Sequence, residues 1–166
     1  MVVGEGPGRE KAEAWIPDGV FMGFLAGEDL ARAYASADIF FNPSTTEAFG
    51  NVTLEAMASG LPTVCFRATG SASIVIDGVT GFLIEPSQDS EAANRLAELI
   101  RNEPLRKQMG AESRVKSLAY DWDAVMNSLL DYYRAVVAEW SVSPAQSSSR
   151  TSLKRPDLQY GREPGR

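Results

Sequence analysis

The chain has 166 residues, 44% of them hydrophobic, enough to bury a core and close to the common size of one domain. Its net charge is −6 and unevenly placed, with 11 Lys and Arg against 20 Asp and Glu over residues 1–140 and 5 against 2 over residues 141–166, so the body is acidic and no nucleic-acid partner is expected. The absence of histidine removes histidine acid–base catalysis and His-based metal sites, and a single cysteine, Cys65, removes an internal disulfide and suits a cytoplasmic setting.

Taken in chain order, Met1-Val2-Val3 reads as the stub of a strand. The turn Gly4-Glu5-Gly6-Pro7-Gly8 follows it, then a helix from about Arg9 to Trp15. Val20 to Phe24 reads as a strand and Asp29 to Ala37 as a helix with Leu30, Tyr34 and Ala37 on one face. The alternation continues through a strand at Ile39–Asn42, a helix at Asn51–Ser59, a strand at Thr63–Phe66, a short helix near Ser73–Ile76 and a strand at Gly81–Ile84. Strands alternating with helices at this spacing predict an α/β fold, a Rossmann-like parallel sheet with helices on both faces. A ligand then belongs beyond the carboxyl ends of the strands. Cys65, inside the apolar run Thr63-Val64-Cys65-Phe66, reads as a buried thiol used as a small hydrophobe.

After Pro86 the chain turns helical. Ala93, Leu96, Ala97 and Ile100 form one apolar stripe, and Pro104 opens a second helix reaching about Leu118. A third, longer stripe runs through Trp122, Val125, Met126, Leu129, Leu130, Tyr133, Val136, Val137 and Trp140. Its default cover is the domain's own sheet. From Ser141 to Arg166 the chain is Ser-, Pro-, Gly- and Arg-rich and is expected to be a disordered polar and basic tail. Residues 1–140 are therefore expected to form the folded domain. The longest nearly apolar run, Gly19 to Gly27, is short of a bilayer span, and no signal segment is expected at the start.

The densest information lies in Asn42-Pro43-Ser44-Thr45-Thr46-Glu47-Ala48-Phe49-Gly50-Asn51-Val52-Thr53-Leu54-Glu55. Asn-Pro-Ser stops a strand. Gly50 stands where the loop becomes a helix and, having no Cβ, is expected to let a ligand lie against the backbone. The first amides of that helix have no intrahelical acceptor, and the positive end of the macrodipole lies behind them, which suits a phosphate. Glu47 precedes these amides and Glu55 lies about a turn and a half inside the helix, so both carboxylates can meet the hydroxyls of a sugar or ribose. Taken alone, Glu47 reads better as a dipole-complementing residue and Glu55 as a solvated helix position. The pair around Phe49-Gly50 points to a ligand mouth.

On Pro43-Ser44, Glu47, Phe49-Gly50, Glu55-Ala56-Met57-Ala58-Ser59-Gly60 and Pro62, the chain resembles glycosyltransferase family 4, retaining nucleotide-sugar transferases of the two-domain GT-B architecture. Val3-Gly4-Glu5-Gly6-Pro7, Phe21-Met22-Gly23-Phe24, Ala37-Asp38 and Asp77-Gly78-Val79-Thr80-Gly81-Phe82-Leu83-Ile84 extend the resemblance over about residues 1–140. It implies the C-terminal, nucleotide-sugar-binding half of a GT-B fold. It also implies transfer of a hexose-type sugar, with retention, from a nucleoside diphosphate sugar to a lipid or saccharide acceptor. By the same resemblance Glu47 is the catalytic residue, contacting the donor sugar, while Phe49, Gly50, Asn51 and Val52 hold sugar and diphosphate and Glu55 holds the ribose. Gly23 and Gly6 complete the donor-binding set. No metal or cofactor is implied.

The family's phosphate-binding Arg and Lys and its N-terminal acceptor domain are expected to lie before Met1, so the chain alone is expected to be inactive. A cytoplasmic location, with peripheral membrane contact through the acceptor domain, completes the expectation. In that architecture the last helix crosses to the partner domain, which leaves Tyr132, Tyr133 or Trp140 partly exposed here. Two alternatives stand beside this reading. One is a non-catalytic nucleotide-sugar-binding module that needs a separate acceptor domain. The other is a dinucleotide-binding Rossmann domain, for which Gly4-x-Gly6-x-Gly8 is the signal, although Arg9 breaks the full glycine pattern.

Overall fold

A computed structural model of the chain describes residues 1–141. These divide into two compact units, Met1–Asp38 and the part that begins at Ile39.

In the first unit, α1 (Arg9–Trp15) and α2 (Gly27–Ala35) form near the expected positions. The strands expected at Met1–Val3 and Val20–Phe24 do not. Val2 and Phe21 make one isolated parallel bridge, supported by Val2 N–H to Val20 O at 2.8 Å, Met22 N–H to Val2 O at 2.9 Å and Gly4 N–H to Gly23 O at 2.7 Å. A ladder requires a partner over its whole length. Among the described residues of this unit only the segment around Val2 pairs with Phe21, so hydrogen bonding stops after a few residues.

The second unit carries a three-stranded parallel sheet, β1 (Phe40–Asn42), β2 (Thr63–Phe66) and β3 (Gly81–Ile84), in the order β1-β2-β3. Phe41 pairs with Val64 and Val64 with Phe82, which sets the register. Alternate residues point to opposite faces, and each face has its own core. Val64, Phe66, Phe82 and Ile84 pack with Ala92 and Leu99 of α5 (Asp89–Arg101) and Met109 of α6 (Glu103–Ser117). Cys65 packs on the other face with Met57 of α3 (Asn51–Ala58), Ile74 of α4 (Thr69–Ile74) and Val75, with Leu83 against them. The predicted α/β class, a parallel sheet covered on both sides, is therefore what forms.

Three expectations are corrected. The short helix placed at Ser73–Ile76 is α4, beginning at Thr69. There Ser71 Oγ accepts from Ala68 N–H at 2.9 Å and donates to Phe66 O at 2.7 Å, tying the start of the helix to the end of β2. The buried face of α5 is Ala92 and Leu99, with Leu96 packed against the core, whereas Ala93 and Ile100 are exposed. In an Ala-rich helix two adjacent stripes are similarly apolar, and contact with Phe82 and Ile84 selects one. The third concerns the last helix, α7 (Trp122–Ser141). The sheet does not cover its stripe, because α3 and α4 on one face and α5 and α6 on the other already occupy it. From Asp121 to Trp140 every residue is exposed, Tyr132, Tyr133 and Trp140 included, the last at 88%. Ser141, expected to open the tail, is still helical, and the rest of that tail, residues 142–166, lies outside the described residues. Among the described residues no helix is long and apolar enough to cross a membrane.

Cys65 is fully buried and free, and burial above all pushes its thiol up from 9.0 to about 12. The folded state thus keeps a proton that the unfolded chain gives up first. The resulting stability is fully present below pH 9 and is lost as pH rises toward 12. In urea unfolding, the stability difference between wild type and Cys65→Ala is expected to be flat up to pH 9 and then to shift against wild type by about 1 kcal/mol per pH unit. An unchanged difference at pH 8 and pH 11 would contradict this.

Candidate functional site

Because the strands are parallel, their carboxyl ends share one edge, at Asn42, Phe66 and Ile84. The chain leaves β1 there in a turn made by its own side chain. Pro43 has no N–H to offer, and the next amide, Ser44 N–H, donates to Asn42 Oδ1 at 3.0 Å. The Asn42 Nδ2 group faces the other way and donates to Glu47 Oε2 at 2.9 Å and to Thr53 Oγ1 at 3.3 Å. Asn42 is 9% exposed and Thr53 fully buried. Glu47, half-buried, is held a second time through its backbone, since its carbonyl accepts from Gly70 N–H at 2.8 Å.

Gly50 is the N-cap of α3, with φ 95° and ψ 41°. That left-handed conformation is one most side chains avoid. The expectation that Gly50 lacks a side chain to make room for a ligand is corrected. A Cβ there would meet Ile74 Cδ1 at 3.0 Å and the Gly70 carbonyl carbon at 3.4 Å, so the space it spares is interior. Gly70 is under the greater constraint, since a Cβ on it would lie 2.6 Å from the Phe49 carbonyl carbon and 2.8 Å from Gly50 N. The loop from Glu47 to Gly50 therefore rests directly on the first turn of α4. Phe49 adds an edge-on contact with Tyr120, ring centroids 6.1 Å apart.

Helix α3 then presents its first turn toward the same loop. Thr53, Ala56 and Met57 are buried, whereas Asn51, Val52 and Glu55 are exposed. Glu55 stands one turn beyond Asn51 on that open face. The far end of α3 closes at Gly60. Gly60 takes φ 77°, with Gly60 N–H to Met57 O at 2.9 Å and Leu61 N–H to Ala56 O at 3.1 Å, the paired bonds of a Schellman motif. Arg114 Nη1 donates to Ala58 O at 2.7 Å and satisfies a further end carbonyl.

The structure thus brings together Glu47, Phe49, Gly50, Asn51, Val52 and Glu55 in the second unit. Gly6 and Gly23 belong to the first unit. There Gly6 is exposed in its turn and Gly23 has φ 71°, with Glu5 Oε1 2.8 Å from where its Cβ would be. Sequence reasoning missed Asn42, Thr53 and Gly70. Asn42 carried one usable signal, an Asn-Pro-Ser turn at a strand end, while nothing local marked the other two.

In each unit several arginines are matched by carboxylates. Arg9 pairs with Glu5 and Glu13, Arg32 with Glu28 and Asp29, and Arg67 with Glu85 at 2.6 Å. An open groove of about 850 Å³ runs instead between Asp77, Phe82, Ile84 and the start of α5, lined by Ser87, Asp89 and Arg95 among others. None of the sequence-predicted site residues lines it, and Asp77 there caps the edge of β3 by accepting from Leu83 N–H at 3.0 Å.

The profile of the family "Glycosyl transferases group 1" matches residues 1–116. Sulfoquinovosyl transferase SQD2 of Arabidopsis thaliana is 37% identical over 144 residues, covering 83% of this chain and 28% of that protein. A GDP-mannose-dependent alpha-mannosyltransferase of Corynebacterium glutamicum is 35% identical over 138 residues, covering 83% of this chain and 33% of that one. The chain thus spans about a third or less of these relatives' length. Among solved structures, Anabaena Alr3699/HepE in complex with UDP-glucose superimposes with a TM-score of 0.67 at 26% identity, over 80% of this chain and 40% of that one. The fold is that of the C-terminal half of GT-B glycosyltransferases, and the chain belongs to the group 1 glycosyl transferases.

Proposed function

We propose that this chain is the donor-binding half of a retaining glycosyltransferase that moves a hexose-type sugar from a nucleoside diphosphate sugar to a lipid or saccharide acceptor. The observation that carries the reading is the convergence, at the carboxyl edge of a parallel sheet, of a twice-anchored Glu47 and the N-terminal turn of α3. The GDP-mannose on which the Corynebacterium relative depends and the UDP-glucose in complex with the Anabaena protein are of this chemical class. They differ in base and sugar, so the class is the level at which they support the reading.

In this mechanism the diphosphate lies against the first amides of α3, where the macrodipole favours negative charge. Glu47 accepts from sugar hydroxyls near the reacting carbon, and Glu55 accepts from the ribose. The acceptor oxygen forms its bond to the anomeric carbon as the bond to the diphosphate oxygen breaks. The acceptor proton passes to the leaving diphosphate on the same face, which retains configuration. The chain's own contribution is positioning and charge stabilisation, with no resident cofactor. Arg67, a cation of the second unit, is engaged by Glu85, and we assign neutralisation of the diphosphate to the α3 amides and to a partner domain. The exposed stripe of α7 is the surface we assign to that acceptor domain.

The test is calorimetric titration of the chain with UDP, GDP, UDP-glucose, GDP-mannose and NAD, followed by transfer assays with the acceptor domain supplied. Binding of at least one nucleotide sugar is expected, and Glu55→Gln is expected to weaken it about tenfold through loss of charge-assisted hydrogen bonds with little change in folding. Binding of NAD alone would replace this reading with a dinucleotide site. Donor binding with no transfer under any acceptor arrangement would leave a binding module.

A further inference from the structure

We propose that Asn42 is the positioning residue for Glu47, clamping one carboxylate oxygen so that the other is presented to the donor sugar; this rests on the reading of Glu47 as the sugar-contacting residue.

A primary amide is polar along its length, with one end that accepts and one that donates. Ser44 N–H is a fixed donor and meets Asn42 Oδ1. The orientation of the amide is thereby set, because a flipped side chain would place its NH2 against another N–H and its oxygen against a carboxylate. Nδ2 must therefore point at Glu47 Oε2, 2.9 Å away, as a donor to an acceptor that carries charge. Its second hydrogen is directed to Thr53 Oγ1, a fully buried hydroxyl in the first turn of α3.

One buried amide thus ties together three parts of the site: the end of β1, the Glu47 carboxylate and the helix whose amides face the diphosphate. A glutamate side chain has three rotatable bonds, and freezing them before the donor arrives removes an entropic penalty from the bound state. The Gly70 amide fixes the backbone of the same residue, so without Asn42 the loop would stay but the carboxylate would be free to turn. Sequence spacing conceals this. Glu47 follows Asn42 by five positions, and only the turn through Pro43 and Ser44 brings them face to face.

A merely structural Asn42 and a positioning one differ in which variants matter. Asn42→Ser keeps an acceptor for Ser44 N–H, as serine commonly does in such turns, but is too short to reach Glu47. Asn42→Asp is isosteric, keeps the turn and sets a second carboxylate against the first. The experiment measures Kd of the chain for UDP and UDP-glucose, and for GDP and GDP-mannose, in wild type, both Asn42 variants, Glu47→Ala and the double variant Asn42→Asp/Glu47→Ala. Both Asn42 variants are expected to weaken the nucleotide sugar about tenfold, as for loss of a charge-assisted bond, and to leave the nucleoside diphosphate within about twofold. Lowering the pH toward 5 is expected to recover much of the Asn42→Asp loss, because two facing carboxylates take up one proton between them and the protonated one can donate to the other. On the Glu47→Ala background Asn42→Asp is expected to add nothing.

Equal losses for sugar nucleotide and nucleoside diphosphate, or a full additive loss in the double variant, would overturn the proposal while leaving Glu47 in its role. If Glu47→Ala itself leaves the affinity for both sugar nucleotides unchanged, the reading of Glu47 falls and this inference with it. Absence of binding to all four probes by wild type would do the same. Should Asn42→Asp fail to fold, the same ratio of affinities measured on Asn42→Ser decides between the two roles.

Discussion

In an enzyme carrying this chain together with its acceptor domain, Glu47→Ala is expected to lower kcat for sugar transfer about a hundredfold or more while changing nucleoside diphosphate affinity less than about twofold. The split follows from where the carboxylate is held. Asn42 holds it, and Gly70 holds the backbone of the same residue, in the loop ahead of α3, whereas the diphosphate is assigned to the helix amides themselves. A group that meets the sugar contributes to binding of the sugar nucleotide and contributes most where positive charge develops on the anomeric carbon as the leaving group departs. Its removal then shows in kcat. The comparison is steady-state kinetics with a fixed acceptor alongside calorimetry with the nucleoside diphosphate. Equal losses in the two measurements would make Glu47 a residue that shapes the loop and no more.

The second large effect concerns the glycines behind that loop. Gly70→Ala and Gly50→Val are each expected to destabilise the fold by about 3 kcal/mol or more, for different reasons. At Gly70 the obstacle is space, since a Cβ would fall 2.6 Å from the backbone carbon of Phe49, an atom that cannot rotate away. At Gly50 the obstacle is chiefly the backbone, because φ 95° is unfavourable for a β-branched residue. The interior contact with Ile74 Cδ1 adds to it. A paired control separates the two. Gly50→Asn, which tolerates the left-handed region better, is expected to be milder than Gly50→Val, whereas no substitution at Gly70 should be mild. Urea unfolding of the variants measures this, and native stability of Gly70→Ala would mean that α4 can retreat from the loop.

Much of the fold was legible because the relevant physics is local. β2 between Pro62 and Arg67, β3 after the Asp-Gly-Val-Thr-Gly turn, and α1 all form at the expected residues. In each, turn residues bound a short run of one character. The C′ role of Gly60 is equally local, since a left-handed residue ending a helix selects glycine wherever it occurs. Where the expectation slipped, the deciding partner was distant. Val20–Phe24 has the composition of a strand but pairs only around Val2. The stripe of α5 turned by one residue because Phe82 and Ile84, not the helix, select which Ala and Leu are buried.

What the sequence by itself determined is the α/β alternation, the loop carrying Glu47, the helix carrying Glu55, and a family signature dense enough to place the chain among the group 1 glycosyl transferases. These rest on periodicity, turn chemistry and residue type, each readable within a dozen positions. What only the tertiary structure decided is how Glu47 is held and what lies behind it. The Asn42 amide acquires its meaning from a carboxylate that the turn brings back to it, and the Gly70 backbone from a loop about twenty residues earlier that rests on it. The exposure of α7 was likewise settled by packing, because both faces of the sheet are filled by other helices before the chain reaches Trp122. Hydrogen-bond partners and occupied space are properties of pairs of segments, and no single segment contains them.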